Sequence, residues 1–471
     1  MAPPLEAHAA AGLRIVRTAR IAPAPPAGEP ALTEQALPLT FMDVLWLSAP
    51  PVERVFFYRL RPGDGDVDAV LSRLEESLSR ALHTFYPLAG RVGATPGEAN
   101  RYELLYKPGD GVAFTVAEHD GAGVGVDELA TDELRELAKI TPFVPKLPKG
   151  GAVLALQATV LPPKRRGLAL GVTVHHSACD GVGSTHFLHT WAAACAGDRA
   201  MPKPPVMDRT LIRDRNNMLD VFVSPTNEAK ELFTAPVAGK LLATFTLSRE
   251  LLQGVKDAVA GEAARRSVPA PRCTSLVATY GLMWLCFRRA IAGGGEAEPR
   301  HDDGLAHLVF AIDHRSRLEP RIPDRYFGNC VGPGFAAVPI KELAAAGATV
   351  ADGVFAACAA VAAAIDEAVR GEPGYWERWL ERIVEACRDE SPFSVAGSTR
   401  FCVYGMDFGF GRPAKVEIVS VAKTGAMSVA EERSGSGGIE AGIALPPEQM
   451  DTFRSSLAEA IAWLSSSSQC N

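Results

Sequence analysis

The chain has no C-x-x-C pair, and its nine cysteines, at 179, 195, 273, 286, 330, 358, 387, 402 and 470, are scattered and odd in number. Such spacing gives neither a disulfide framework nor a common zinc site, and it suits a reducing compartment, expected here to be the cytoplasm. Basic charge is scarce too. With 48 Lys and Arg against 55 Asp and Glu the net charge is −7, so nothing concentrates the cations that a nucleic acid or an anionic membrane would attract. The N-terminal MAPPLEAHAAAGLRIV lacks a basic stretch followed by an apolar one, and the longest apolar runs are Ala-rich and broken by charges. Neither a signal peptide nor a membrane-spanning helix is expected. A repeat of about 20 to 50 residues is also missing, which disfavours a solenoid or propeller. So are the G-x-S-x-G nucleophile elbow, the P-loop and a G-x-G-x-x-G opening a helix; GFGRP, after Phe408, runs into Pro413 and a strand.

What remains is a chain of 471 residues, 47% hydrophobic and 22% charged, long enough for two or three domains around a large core and suited to small-molecule chemistry. Between Asp68 and Phe85, residues Val70, Leu71, Leu74, Leu78, Ala81, Leu82 and Phe85 fall at helical spacing, and Pro87 and Gly90 then break the pattern. The breaker-rich GDRAMPKPP, Gly197 to Pro205, divides the chain, and PVMDRTLIRDRNNMLDVFVSP after it reads as a long crossover. We therefore expect an N-terminal unit over 1–196, a crossover over 197–235 and a C-terminal unit over 236–471. The second unit shows strand patterns at Leu242 to Leu247, Leu308 to Ile312, Lys415 to Val421 and Ile439 to Leu445, with helices at Leu276 to Arg289 and Val350 to Val369. Strands mixed with helices make this an α/β protein.

One stretch stands out. LALGVTVHHSACDGVG, Leu168 to Gly183, reads as a strand followed by a turn and a helix capped near Ser184. His176 has the strand parity of Leu168, Leu170, Val172 and Val174, and His175 points to the other face. A histidine at such a turn is placed to act as a general base at neutral pH. On spacing alone an ordinary strand end is the better account, and no further His, Cys or carboxylate cluster supplies the remaining ligands of a metal site. Cys179 has no basic cluster beside it to make it a nucleophile. Direct transfer assisted by a base is the chemistry these residues leave open.

HHSACDG together with Asp407-Phe408-Gly409-Phe410-Gly411-Arg412-Pro413 resembles the paired HxxxD and DFGWG signatures of the BAHD family of plant acyl-CoA-dependent acyltransferases. LPLTFMDVLWL, PVERVFFYRL, FYPLAGRV, PVMDRTLI, IDHRSRLEP, YFGNCVGP and GGIEAGIALPPEQMDTF extend the likeness over essentially the whole chain. YFGNC and the LPLTF…PPVER opening are most similar to the branch that acylates sugar hydroxyls of anthocyanins and other flavonoid or phenolic glucosides, often with malonyl-CoA.

The resemblance implies two chloramphenicol-acetyltransferase-like domains, each a mixed sheet flanked by helices, with a channel between them. It implies an acyl-CoA co-substrate, a phenolic or flavonoid glycoside acceptor, no bound cofactor or metal, and a monomer. His176 would be the general base, with Asp180 pointing away from the channel to pair with Arg315 or Arg317. Asp407, Gly409 and Gly411 would be structural, with Phe410 in place of the usual tryptophan. Asn329 and Cys330 would lie near the acyl end, where Cys330 also reads as an inert buried thiol; Thr274 and Ser275 are candidates for contact with CoA, although TSLVATYGLMW also reads as a capped helix; and Ser398 in VAGSTRF is our candidate for the oxyanion donor.

A malonyl carboxylate calls for an Arg or Lys. Relatives often have one soon after the DG of the first motif, where this chain has Val182 and Gly183, so Arg272 is the candidate. A coumaroyl donor needs no such cation. Two other readings remain: a catalytically silent relative that binds phenolic ligands, and a condensation-type domain fed by a carrier protein, whose HHxxxDG signature HHSACDG also matches.

Overall fold

Asp66 opens the first long helix by accepting the backbone N–H of Val67, and Val67–Thr84 follows where the periodicity predicts it. Its Val70, Leu71, Leu74, Leu78, Ala81 and Leu82 are all buried. They face a second helix, Gly181–Ala196, whose Trp191 Nε1 donates to Leu74 O at 3.0 Å. This second helix begins three residues before the expected Ser184 cap. Its N-cap is Asp180, which accepts the N–H of Gly183 at 3.0 Å. A carboxylate there satisfies an open amide and complements the helix dipole, which outweighs the poor helix propensity of Gly181 and Gly183.

The computed structural model describes residues 12–119, 125–162, 166–197, 200–223, 238–293, 304–344, 349–371 and 374–467, so the later part of the expected crossover and Cys470 lie outside the described residues. Its strands are numbered here in chain order. One sheet has the spatial order β1 (Leu13–Ile21), β6 (Val112–His119), β8 (Leu154–Leu161), β9 (Gly167–Val174), β3 (Val52–Arg59) and β14 (Lys415–Ile418). A second runs β12 (Val331–Pro339), β11 (Leu305–Asp313), β13 (Phe393–Gly397), β15 (Ala426–Glu431), β16 (Ile439–Leu445), β10 (Leu241–Leu247) and β7 (Arg135–Glu136). Both are mixed, with β6 and β8 parallel in the first, and β13 parallel to β11 and β15 in the second. A small third sheet joins β2 (Gln35–Pro38), β5 (Tyr102–Tyr106) and β4 (Arg91–Ala94). Two mixed sheets flanked by helices are the architecture the resemblance implies.

Two strands cross the division drawn in the sequence. The run expected as a strand from Lys415 to Val421 stops at Ile418, gives way to a short helix at Val421–Thr424, and pairs with β3 of the first sheet. The two-residue β7 of the N-terminal half closes the edge of the second sheet beside β10. Each half thus covers an open sheet edge of the other, removing a row of unpaired backbone groups. β9 is buried along its whole length, so its alternation marks a strand covered on both faces. No helix among the described residues is long and apolar enough to cross a membrane.

Candidate active site

β9 ends at Val174, and the chain turns through His175 to Cys179 before the helix begins. His175 stays within the turn. Its backbone N–H donates to Val153 O at 2.8 Å, its carbonyl accepts from Ala178, and its Nδ1 accepts the N–H of Ser177 at 3.3 Å. His176 reaches across to the other half of the chain. Its Nδ1 lies 3.1 Å from Asn329 Oδ1, and its ring stacks on the Trp46 indole with centroids 3.9 Å apart and planes 18° from parallel.

The tautomer of His176 follows from its neighbours. Asn329 Nδ2 donates to Asp43 Oδ1 and to His176 O, both at 2.9 Å, so both amide hydrogens are committed to oxygens. Oδ1 therefore faces Nδ1 and accepts from it. The ring proton sits on Nδ1, which leaves the Nε2 lone pair to take a proton. Burial pulls the pKa of His176 down to about 4 against the opposing pull of Asp180 and Asn329, and the Arg54 charge lowers it further. At neutral pH the ring is an uncharged base.

Asp43 was not singled out in the sequence, yet it is fully buried beneath this arrangement. Its Oδ1 also accepts the Asn329 N–H at 2.8 Å, and its Oδ2 accepts from Thr40 N at 2.9 Å, Thr40 Oγ1 at 2.7 Å and Arg209 Nη1 at 3.0 Å. Asp43 comes from LPLTFMDVLWL, Arg209 from PVMDRTLI and Asn329 from YFGNC. A lone charge inside an apolar run was the available signal in the first of these. Asn329, expected at the acyl group, is fully buried and holds the His176 ring and backbone carbonyl.

Of the two candidate arginines, Arg315 is the one that meets Asp180. Arg315 Nη1 lies 2.8 Å from Asp180 Oδ2, and Nη2 donates to Oδ1 at 3.0 Å. The backbone N–H groups of Gly183 and Cys330 each donate to the carboxylate at 3.0 Å. Four donors fill its lone pairs, so it cannot also orient the imidazole as a triad member would. Arg317 instead donates to the carbonyl of Asp313. A Cβ at Gly181 would lie 2.3 Å from Phe401 Cζ, so any larger residue there would displace that ring.

The second motif lies at the opposite end of the same helix. Asp407 Oδ1 accepts the N–H groups of Gly409 at 2.9 Å and Gly411 at 2.8 Å, and both glycines have the positive φ their loop demands, 93° and 104°. Phe408 packs edge-on against Trp191 at 4.9 Å, Phe410 against Tyr58 at 5.1 Å, and a Cβ on Gly409 would meet Ala196 at 3.1 Å. The loop's two amide bonds are accepted by Asp407 and involve no side chain at 410. A helix of 16 residues is about 24 Å long, which keeps this loop away from His176.

The remaining expected residues are spread more widely. Thr274 Oγ1 accepts the N–H of Val277 at 3.3 Å and so caps the Ser275–Gly293 helix, while Ser275 O accepts from Thr279. Arg272 precedes that helix and is exposed. Ser398 Oγ accepts from Arg400 N at 3.2 Å, in a turn that reaches the motif helix through His189 Nε2 and Phe401 O, 3.0 Å apart. Cys330 is fully buried, which pushes its thiol pKa up and leaves it unreactive. Among the described residues no group of three or more His, Cys, Asp or Glu is arranged to hold a metal ion.

A sequence model of the Transferase family matches residues 12–460. Phenolic glucoside malonyltransferase 1 of Arabidopsis thaliana is 33% identical over 94% of this chain and 96% of its own length. Coumaroyl-CoA:anthocyanidin 3-O-glucoside-6''-O-coumaroyltransferase 2 of the same plant is 31% identical over 95% and 97%. Among solved structures, vinorine synthase superposes with a TM-score of 0.66 at 21% identity, covering 93% of this chain and 96% of that one, a likeness of fold.

Proposed function

The chain belongs to the Transferase family, the BAHD acyltransferases, and is an acyl-CoA-dependent acyltransferase; from that premise we propose that it transfers a malonyl group to a sugar hydroxyl of a phenolic or flavonoid glucoside. The observation that carries the transfer step is the contact of His176 Nδ1 with Asn329 Oδ1, which leaves Nε2 as the base. Nε2 takes the proton of the sugar hydroxyl as its oxygen attacks the thioester carbonyl. The tetrahedral intermediate then collapses, the C–S bond breaks, and the imidazolium returns its proton to the departing thiolate, giving the ester and free CoA. While the ring is charged, the Trp46 face beneath it supplies a cation–π contact.

Ser398 is our choice of oxyanion donor, since its hydroxyl accepts from Arg400 and keeps its own proton to give. Thr274, Ser275 and Arg272 at the start of the Ser275–Gly293 helix are our choice of CoA contacts. Units 1–196 and 236–471 would together form the channel, and the enzyme would work as a cytoplasmic monomer. Malonyl is preferred because the phenolic glucoside relative is a malonyltransferase. A coumaroyl donor is the second reading, favoured by the coumaroyltransferase relative at 31% identity.

Turnover with malonyl-, acetyl- and coumaroyl-CoA against a panel of flavonoid and phenolic glucosides separates the two. The proposal expects the highest kcat/KM with malonyl-CoA, and turnover with coumaroyl-CoA alone would replace it by the second reading. CoA release without any carrier protein removes the condensation-type alternative. Failure of every donor, with a flavonoid glycoside still bound, would favour the silent binder.

A further inference from the structure

Among the described residues six Lys or Arg side chains are buried: Arg54, Arg135, Arg209, Arg288, Arg315 and Lys415. Five of them meet a carboxylate. Arg135 lies 2.6 Å from Glu417, Arg209 3.0 Å from Asp43, Arg288 3.0 Å from Asp389, Arg315 2.8 Å from Asp180 and Lys415 2.7 Å from Asp132. Arg54 has no carboxylate partner among the described residues.

It is 5% exposed, and among the described residues its Nη1 makes only two long hydrogen bonds, to Ser184 Oγ at 3.4 Å and Thr185 Oγ1 at 3.5 Å. Its Nε is buried without a partner, and its guanidinium carbon lies 5.7 Å from the centre of the Phe401 ring. Burial lowers its pKa to about 10, which keeps it charged at neutral pH. A buried cation with no counter-charge is a costly arrangement that proteins seldom keep without a use.

The position of the charge suggests that use. Along β3, Arg54, Phe56 and Tyr58 share one face. Tyr58 meets the Phe408–Phe410 loop at the far end of the Gly181–Ala196 helix, and Arg54 meets the first turn of that helix, just after the loop that carries the base. Its charge is felt at His176 and Cys179. A malonyl thioester has its carboxylate carbon two bonds beyond the carbon that is attacked, so the cation that receives it has to stand beside the base. Arg209 and Arg315 are already neutralised, and Arg272 is exposed at another helix.

We propose that Arg54, with the hydroxyls of Ser184 and Thr185, receives the free carboxylate of a dicarboxylic acyl donor, an inference that rests on the malonyl reading above. The cation sought after the DG of the first motif comes instead from the strand facing that turn. Donor binding then completes an ion pair that the free protein lacks.

The test measures binding of malonyl-CoA and acetyl-CoA by calorimetry, their kcat/KM, and the melting temperature, for the wild type, Arg54→Lys and Arg54→Met. The wild type is expected to bind malonyl-CoA more tightly than acetyl-CoA. Arg54→Met should lower the malonyl-over-acetyl ratio about 100-fold in binding and in kcat/KM, with part of it kept by Arg54→Lys. Its melting temperature should not fall, because an apolar side chain replaces an unpaired charge. If Arg54→Met does not fold, Arg54→Gln reads the same ratio.

An Arg54 variant that weakens both donors equally, or a wild type that binds malonyl-CoA no better than acetyl-CoA, overturns the proposal. The malonyl reading fails separately. A wild type that turns over coumaroyl-CoA but not malonyl-CoA would sink that reading even where malonyl-CoA binding depends on Arg54.

Discussion

The two ends of the Gly181–Ala196 helix are held in different ways. At the first end, buried ion pairs tie Asp180 to Arg315 and Asp43 to Arg209, and Asn329 joins the second pair to His176. At the other, Phe408 and Phe410 pack on Trp191 and Tyr58, and the Asp407 carboxylate accepts from the amides of its own loop. Apolar packing tolerates changes of shape that keep volume, whereas a buried ion pair fails when either partner is removed. The first end therefore holds a side chain in one orientation, and the second holds a helix in place.

The largest effect that bears on this contrast is expected from His176→Ala. It should lower kcat by about a thousandfold and lower the melting temperature less than Asp180→Ala does, since the neutral ring makes one side-chain hydrogen bond and no ion pair. Turnover together with thermal unfolding checks both halves. A variant within tenfold of wild type would remove the distinction between the ends.

Asp180→Ala should lose activity through structure. Four donors would lose their acceptor, with a cost of about 3–5 kcal/mol to unfolding by denaturant. A stable but inactive Asp180→Ala would instead give the carboxylate a direct part in the reaction.

Asn329→Ala releases the imidazole without touching the reacting atoms. A fall in kcat of roughly 10- to 100-fold with KM little changed is expected. Steady-state kinetics at varied malonyl-CoA separates this from a loss of donor binding, which would raise KM.

At the other end the effects shrink and change in kind. Asp407→Ala should cost about 1–3 kcal/mol of stability, with kcat of the folded protein largely kept. The smallest effect is expected from Phe410→Trp, which restores the usual residue. It should leave kcat unchanged, and even crowding against Tyr58 would cost no more than about 1–3 kcal/mol. A large gain in kcat would show that the indole contributes something the Asp407 bonds do not.

Local patterns were legible in the sequence and long-range partnerships were not. The Val67–Thr84 helix and β9 were read from spacing because each pattern is set by the element's own period. The start of the motif helix was misplaced at Ser184, since Ser184 and Asp180 are both good caps and only the backbone decides between them. β14 pairs with a strand more than three hundred residues earlier, which no local pattern reveals. The same holds for the site. His176 and Asp180 lie in one motif, but Asp43, Asn329 and Arg209 meet only when the halves close. Arg54 was hidden for another reason: what marks it is a missing counter-charge, and that becomes visible only when the other buried cations have been paired.

The account turns on the state of one ring, which NMR of the protein carrying 15N-labelled histidine reads directly, with His176→Gln to assign the signal. A neutral imidazole at pH 7 is predicted, with its proton on Nδ1, titrating near pH 4. In the unfolded chain the same group titrates near pH 6.5, so its contribution to stability is full above that value and is lost as the pH falls toward 4. A ring charged at neutral pH, or one with its proton on Nε2, would contradict the base assigned to this site.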